Sequence, residues 1–189
     1  MYSLSKVTWK AGTMLYPLPP VMVSCGTIER ANIITVAWTG IVNSEPPMTY
    51  ISVRPERFSH GLIKETGEFV INLTTDRLVW NADFCGVKSG RDTNKFALPG
   101  LTAVKASAVS APMIEESPVN IECRVERSIL LGSHEMFIAK IIAVNVNEKL
   151  LDAKGVLHLE KAGLAATAHG KYFALGRQVG SFGYSVRKR

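Results

Sequence analysis

Hydrophobic and polar positions along this chain of 189 residues fall mostly into short, strand-like runs. Residues 20–28 and 32–42 are apolar and rich in β-branched side chains. Residues 48–54 alternate between apolar and polar, and residues 68–73 form a short apolar run. Val119, Ile121, Cys123 and Val125 alternate with Asn120, Glu122, Arg124 and Glu126, so one set faces each way. That pattern predicts an antiparallel strand with a single buried face. Residues 137–146 read as its partner across a turn containing Gly132, Ser133 and His134. About seven short strands separated by turn signals predict a barrel or a sandwich.

Helical patterning is brief. Residues 59–66 fit about two turns, with Ser59 as the N-cap and Gly67 just past the end. Residues 75–84 fit an amphipathic helix with Leu78, Val79 and Ala82 inward, ending at Gly86. Two further helical stretches are read at residues 91–96 and 160–168. Pro17, Pro19 and Pro20 keep the N-terminal segment out of a helix or a central strand. The expectation is one domain over residues 1–189, with a helical insertion at about 59–98 and a basic tail at about 177–189.

A hydrophobic content of 47% and a charged content of 20% suit a globular chain with a core of useful size and no need of disulfides. Cys25, Cys85 and Cys123 are far apart and form no C-x-x-C pair, which argues against a zinc site or a thioredoxin-type couple. Cys25 and Cys123 read as core, and Cys85 is placed in a glycine-containing loop. No stretch nears the roughly 18 apolar residues that cross a bilayer, and the N-terminus lacks the layout of a secretion signal. A cytoplasmic protein with no membrane partner is expected. The net charge of +6 and pI near 9.3 favour anionic ligands, either nucleic acid or phosphorylated small molecules. Cations interspersed with acids, and an aromatic content of 8% with no basic-aromatic stripe, tell against nucleic acid.

Three clusters could carry chemistry. In the first, a strand ends at Arg54, Pro55 turns the chain, and Ser59 and His60 open a helix. Free N–H groups at a helix start, beside Ser52, Arg54, Ser59 and His60, suit a phosphate; a plain capped surface helix is the competing reading. The second, residues 85–96, places Lys88, Arg91 and Lys95 among Gly86 and Gly90, with Cys85 and Ser89 alongside. Glycines allow close backbone approach to an anion, though a solvated loop would look the same. The third, residues 32–40, sets Asn32, Thr35 and Thr39 among apolar neighbours with Ala37 and Trp38. Polar groups beside an apolar wall suit a flat heteroaromatic ring, and a core strand is the alternative. There is no G-x-S-x-G, no H-E-x-x-H and no metal-ligand spacing. His134 reads as a hairpin residue and His158 as surface; His169 reads as near a site, with a core or interface role for Tyr172 and Phe173 as the equal alternative.

In order and spacing, the segments at residues 32–40, 43–48, 52–60, 68–72, 85–96, 117–123 and 131–134 resemble the flavin reductase-like family, in its flavoredoxin branch. The resemblance covers almost the whole chain. It implies a mainly β fold, an antiparallel FMN-binding split β-barrel of Greek-key type, paired as a homodimer with non-covalent FMN near the interface. The phosphate would be held by Ser52, Arg54, Ser59 and His60 with Lys88, Ser89, Arg91 and Lys95, and Val53 is a further cofactor-binding residue. The isoalloxazine ring would lie along Thr35, Ala37, Trp38 and Thr39, with Asn32 within reach and Cys85 and Gly86 as near neighbours. Reductases that serve monooxygenases carry a Ser/Thr-rich stretch before their Thr-His, where this chain has residues 54–60. That difference favours a tightly held FMN over free-flavin reduction.

The implied activity is electron transfer through FMN, reduced by NAD(P)H as a transient co-substrate or by a protein donor such as a ferredoxin. No G-x-G-x-x-G occurs, so a nicotinamide would dock transiently over the flavin. An FMN carrier with no NAD(P)H activity is the near alternative. The more distant ones are a basic β-barrel that stacks single-stranded nucleic acid and a thiol enzyme built on Cys85.

Overall fold

The early strands read as unbroken apolar runs because both of their faces are covered. The structure, a computed structural model, describes residues 5–187. Eleven strands follow in order: β1 (Val21–Cys25), β2 (Asn32–Val36), β3 (Thr39–Ser44), β4 (Pro47–Val53), β5 (Glu68–Asn72), β6 (Ala103–Val104), β7 (Met113–Ile114), β8 (Val119–Leu131), β9 (His134–Val146), β10 (Ala165–Ala168) and β11 (Lys171–Ala174). Helix α1 (Phe58–Thr66) follows β4, and α2 (Val79–Val87) follows β5. Seven strands make one antiparallel sheet in the order β2-β1-β5-β8-β9-β4-β3. Its edge strands, β2 and β3, are joined by only Ala37 and Trp38, and Ser52 N donates to Trp38 O at 2.8 Å. The sheet therefore curls until its edges meet. This is a mainly β, split-barrel fold, as the resemblance implied. Residues 32–42, expected as one run, are two strands, because the chain must cross from one edge of the sheet to the other at Trp38.

Alternate residues of β1 and β5 serve two cores. Val21, Val23, Cys25, Phe69 and Ile71 point into the barrel with Ile34, Val36, Ile51, Val53 and Phe137. Met22 and Ile33 point outward, against Ala82 and Cys85 of α2 and Leu78 just before it, with Leu101 and Ile114. Val70 lies under Ala106, Val109 and Ala111. Each fully buried aliphatic or aromatic side chain contributes about 1.5–3 kcal/mol.

The same covering corrects the reading of β8. The first half of its polar face is not solvated, since Asn120 is 7% and Glu122 0% exposed, while Arg124 and Glu126 further along are exposed as expected. One Glu122 oxygen accepts from Ser107 N, Ser107 Oγ and Asn145 Nδ2, and the other from Ala108 N and Val109 N. A buried carboxylate with five donors is well satisfied. These bonds fold the 105–112 segment down over the sheet.

Further differences concern the helices. Arg57, not Ser59, takes the N-cap position of α1, with no side-chain cap, and Ser59 lies inside the helix. Gly67 ends α1 as expected, in the left-handed region at φ 68°, its N–H bonded to Ile63 O at 2.8 Å. Helix α2 starts later than expected and runs through Cys85 and Gly86, so Cys85 is not in a loop. Residues 91–96 hold only the start of a 3-10 turn at Lys95–Ala97. Residues 160–168 are not a helix: a turn at Leu159–Lys161 gives way to β10, which pairs with β11 and, at Thr167, with Leu18. Gly163, at φ 66°, breaks the helical course. The stretch 59–98 carries both helices but also β5, the third strand of the sheet, so it belongs to the barrel instead of being inserted into it. Residues 177–187 are exposed apart from partly covered Gly183; Lys188 and Arg189 of the expected tail lie outside the described residues. Among the described residues, no helix is long and apolar enough to cross a membrane.

Candidate functional site

Two adjoining pockets open where β2, the β4–α1 turn and the segment after α2 meet. The first is lined by Asn32, Ile34, Glu56, Arg57, Phe58, Ser59, Lys88, Ser89, Gly90, Arg91 and Lys95. Four cations therefore face one carboxylate. The N–H groups of Phe58 and Ser59 stand at the start of α1, where no earlier turn of helix accepts from them. Asn32 Nδ2 donates to Ser59 Oγ at 2.7 Å. A Cβ on Gly90 would lie 2.2 Å from Asn32 Oδ1, so only glycine lets the loop approach so closely. Arg91 lies over the Phe58 ring, its Cζ 6.0 Å from the centroid, and donates to Glu56 O at 3.3 Å.

The second pocket has a different character. It is lined by Ile34, Thr35, Val36, Trp38, Ser52, Val53, Arg54, Glu56, Arg57 and His134. Ile34, Val36 and Val53 reach it from the barrel core, where they are at most 4% exposed, and the Trp38 and His134 rings lie 5.8 Å apart at one end. Ile34, Glu56 and Arg57 line both pockets. An Arg57 guanidinium N–H donates to Gly86 O, which ties the turn to α2.

Of the residues picked from sequence, Asn32, Ser59, Lys88, Ser89, Arg91 and Lys95 line the cationic pocket, and Thr35, Trp38, Ser52, Val53 and Arg54 the second one. Ser52 and Arg54, expected at the phosphate end, thus stand at the other. Arg54 is exposed and paired with Glu56 at 3.0 Å. Five more expected residues line neither pocket. His60 Nε2 is 2.7 Å from Glu135 Oε2, and Thr39 Oγ1 donates to Tyr50 O at 2.6 Å. Cys85 is fully buried, and Gly86 meets the site only through its carbonyl. Ala37 lines a third cavity with Trp38.

Sequence reading assigned no role to Arg57, Phe58 or Glu56, and placed His134 only in a hairpin. The spacing of Arg54 and Arg57 around Pro55 was the one available signal, since a turn there presents cations to both sides. His134 is the first residue of β9, and only pairing of β4 with β9 brings it to Trp38.

Burial sets the titration of the groups behind the pockets. Lys95 is 3% exposed, and its ammonium donates to Ile33 O at 2.6 Å and Cys85 O at 2.8 Å. Desolvation, with Arg57 nearby, pulls its pKa down to about 8. Burial pushes the Cys85 thiol up to about 11 and the Cys25 thiol to about 12. A reactive thiol needs the opposite shift, which removes the physical basis for a thiol enzyme on Cys85.

The model of the flavin reductase like domain matches residues 13–166. A solved flavoredoxin of Desulfovibrio vulgaris (Miyazaki F) is 32% identical, with a TM-score of 0.89 over 97% of this chain and 100% of that one. A flavoredoxin from Methanosarcina acetivorans is 26% identical, with a TM-score of 0.88 over 97% and 100% of the two chains. A protein of Archaeoglobus fulgidus is 33% identical over 140 residues, covering 74% of this chain and 78% of its own length.

Proposed function

The chain belongs to the flavin reductase-like domain family, and from that premise we propose that it is a single split-barrel domain holding FMN non-covalently and passing electrons through it. The observation that carries this reading is that two joined pockets differ in lining: four cations at a helix start in one, and the Trp38 and His134 rings beside strands β2 and β4 in the other. A ligand with a phosphate at one end and a flat ring at the other needs that contrast. FMN is such a molecule, and the donor set fits it.

Arg57, Lys88, Arg91 and the first N–H groups of α1 would hold the phosphate, with Ser89 adding a hydroxyl. Asn32 fixes the Ser59 hydroxyl and so the start of α1. Ring binding falls to Thr35, Trp38, Ser52, Val53 and His134. Arg54 and Arg57 bring positive charge to the ring pocket, which favours a reduced, anionic ring over an oxidised one. Bound FMN would supply hydride and single-electron exchange. The protein's share is to bind, to orient and to keep one ring face open to a partner.

The electron donor in this reading is NAD(P)H or a reduced protein, and the working form is a homodimer. Exposed apolar side chains on the barrel support pairing: Ile41 and Val42 on β3, Leu130 and Leu131 on β8, and Val144 on β9. Isolated surface apolar residues are common, and the adjacent pairs Ile41–Val42 and Leu130–Leu131 are what favour a partner.

The test is direct. Protein mixed with FMN and desalted is expected to stay yellow and to release FMN on denaturation. Colourless protein after desalting overturns the reading. With flavin retained, anaerobic bleaching by NADH or NADPH marks a reductase, and bleaching only by a reduced protein marks a carrier.

A further inference from the structure

A third cavity, of about 480 Å³, lies on the far side of Trp38, between the barrel and the N-terminal segment. Residues 12–18 pass over Ala37, Trp38 and Tyr50, and Leu18 is hydrogen-bonded in both directions to Thr167 of β10 at 2.9 and 2.8 Å. The end of this strap is thus held by the backbone.

Its chemistry differs from both pockets described above. None of its nine lining residues carries a carboxylate, an ammonium, a guanidinium or an imidazole. The walls are the rings of Tyr16, Trp38 and Tyr50 with Met14, Leu15 and Leu18. On the other side of Trp38, both neighbouring pockets are lined by Arg57 and further cations. A charged ligand would give up part of its hydration here with no counter-ion in return. A flat, uncharged ring loses little and gains ring-on-ring contact worth about 0.5–1.5 kcal/mol for each aromatic neighbour.

We propose that this cavity is a binding site for an uncharged, planar aromatic molecule, next to the flavin ring site and separated from it by Trp38. This rests on the flavin reading for its meaning, since a reactant or an effector held against Trp38 would sit beside the ring pocket. The binding itself does not depend on flavin. Shared lining by Trp38 and the chain continuity of Val36, a ring-pocket residue, with Ala37 make the two sites neighbours.

The experiment uses the full chain purified with added FMN, its flavin content measured after desalting, and 2-naphthol as probe in a calorimetric titration at neutral pH. Saturable binding is expected. Naphthalene-2-sulfonate, the same ring system with a charge, is expected to bind at least roughly tenfold more weakly. Met14→Arg, at a 55% exposed position of the strap, puts a charge at the cavity and is expected to weaken naphthol binding by a similar factor, while Met14→Leu retains it. Flavin content is expected to be the same in all three proteins. No saturable naphthol binding, equal affinity for the sulfonate, or undiminished binding by a folded Met14→Arg protein overturns the proposal. So does saturation that emerges only on dilution to monomer, which would make a second copy of the chain the occupant. If Met14→Arg does not fold, the naphthol and sulfonate comparison decides alone. Absence of retained flavin sinks the flavin reading and leaves the cavity to be judged by the naphthol titrations.

Discussion

The Asn32 side-chain amide donates to the Ser59 hydroxyl at 2.7 Å, joining the first residue of β2 to the first turn of α1 inside the barrel wall. Both side chains are buried, Ser59 at 1% and Asn32 at 3% exposure. Gly90 closes on the same amide from the loop after α2. One bond therefore sets the shape of the cationic pocket from three sides. Ser59→Ala leaves a buried N–H without its acceptor and is expected to cost about 1–3 kcal/mol of stability. FMN retention is expected to fall with it. Gly90→Ala drives a methyl into the amide and is expected to reduce retention more than stability. Thermal melting and flavin content after desalting measure the two effects, and an unchanged flavin content in both variants would take this contact out of the site.

Arg57 and Arg54 are separated by one turn of chain but are not equivalent. Arg57 lines both pockets and is anchored to Gly86 O. Arg54, its side chain 54% exposed, is paired with Glu56, and exposed pairs are worth at most about 1 kcal/mol. Arg57→Ala is expected to weaken FMN binding by about 1.5–3 kcal/mol, the range for charge-assisted hydrogen bonds, or roughly ten- to a hundredfold. Arg54→Ala is expected to cost less than about tenfold. Fluorescence titration of FMN with each variant checks the order, which the reverse result would overturn.

Lys95 adds a pH dependence. Its pKa in the free protein is drawn down to about 8, first by burial and further by Arg57. An anion in the pocket favours the charged ammonium and raises that pKa again. FMN affinity is expected to be flat below about pH 8 and to fall above it, by at most about tenfold per pH unit. Without ligand the sign for stability is opposite. The unfolded chain holds the extra proton between about pH 8 and 10.5, so the free fold gains stability as pH rises through that window. Dissociation constants at pH 7 and pH 9 test the claim, with Lys95→Met expected to flatten the difference. An equal slope in that variant would assign the pH effect to another group.

A fully buried thiol with its pKa pushed to about 11 cannot serve as a nucleophile near neutral pH. Cys85→Ser is expected to keep flavin binding and electron transfer, with a small stability loss from a polar group in the core. Loss of turnover in a folded, flavin-loaded variant would return Cys85 to the chemistry.

How much of this was legible in sequence depended on whether the deciding contact was local. The β8–β9 hairpin was visible in the alternation of Val119 to Val125, and the end of α1 in Gly67, because both follow from neighbouring residues. The break between β2 and β3 was not, since Ala37 and Trp38 are acceptable in a strand and only closure of the barrel bends the chain there. Ser59 carries the signature of a cap, yet its hydroxyl answers a residue 27 positions away. The alanines of 162–168 suit a helix, but Gly163 and the pairing of Thr167 with Leu18 select a strand. For the site, motif spacing picked out the segments whose cations line the pockets, while their division between two pockets, and the part of Arg57, follow from tertiary packing alone.

Behind α1, Glu135 sits between His60 at 2.7 Å, Lys64 at 3.2 Å and the Ser128 hydroxyl at 2.6 Å. Its side chain is 8% exposed. The Ser128 hydrogen bond first, then His60 and Lys64, hold its carboxyl down to about 2, below the ordinary 4.5. A depressed carboxylate stabilises the fold above its unfolded pKa and stops doing so as pH falls through its folded one. That contribution is therefore complete above about pH 4.5 and gone near pH 2. Glu135→Gln keeps the shape but not the charge, and leaves Lys64 and His60 with a weaker acceptor. It is expected to cost roughly 1–3 kcal/mol at pH 7, with the difference from the parent protein shrinking between pH 4.5 and pH 2. Because His60 follows Ser59 on α1, the loss is also expected to loosen the start of that helix and lower FMN retention. Urea unfolding of both proteins across that pH range reads the first effect, and a gap that stays constant with pH would show that Glu135 acts by packing instead of by charge.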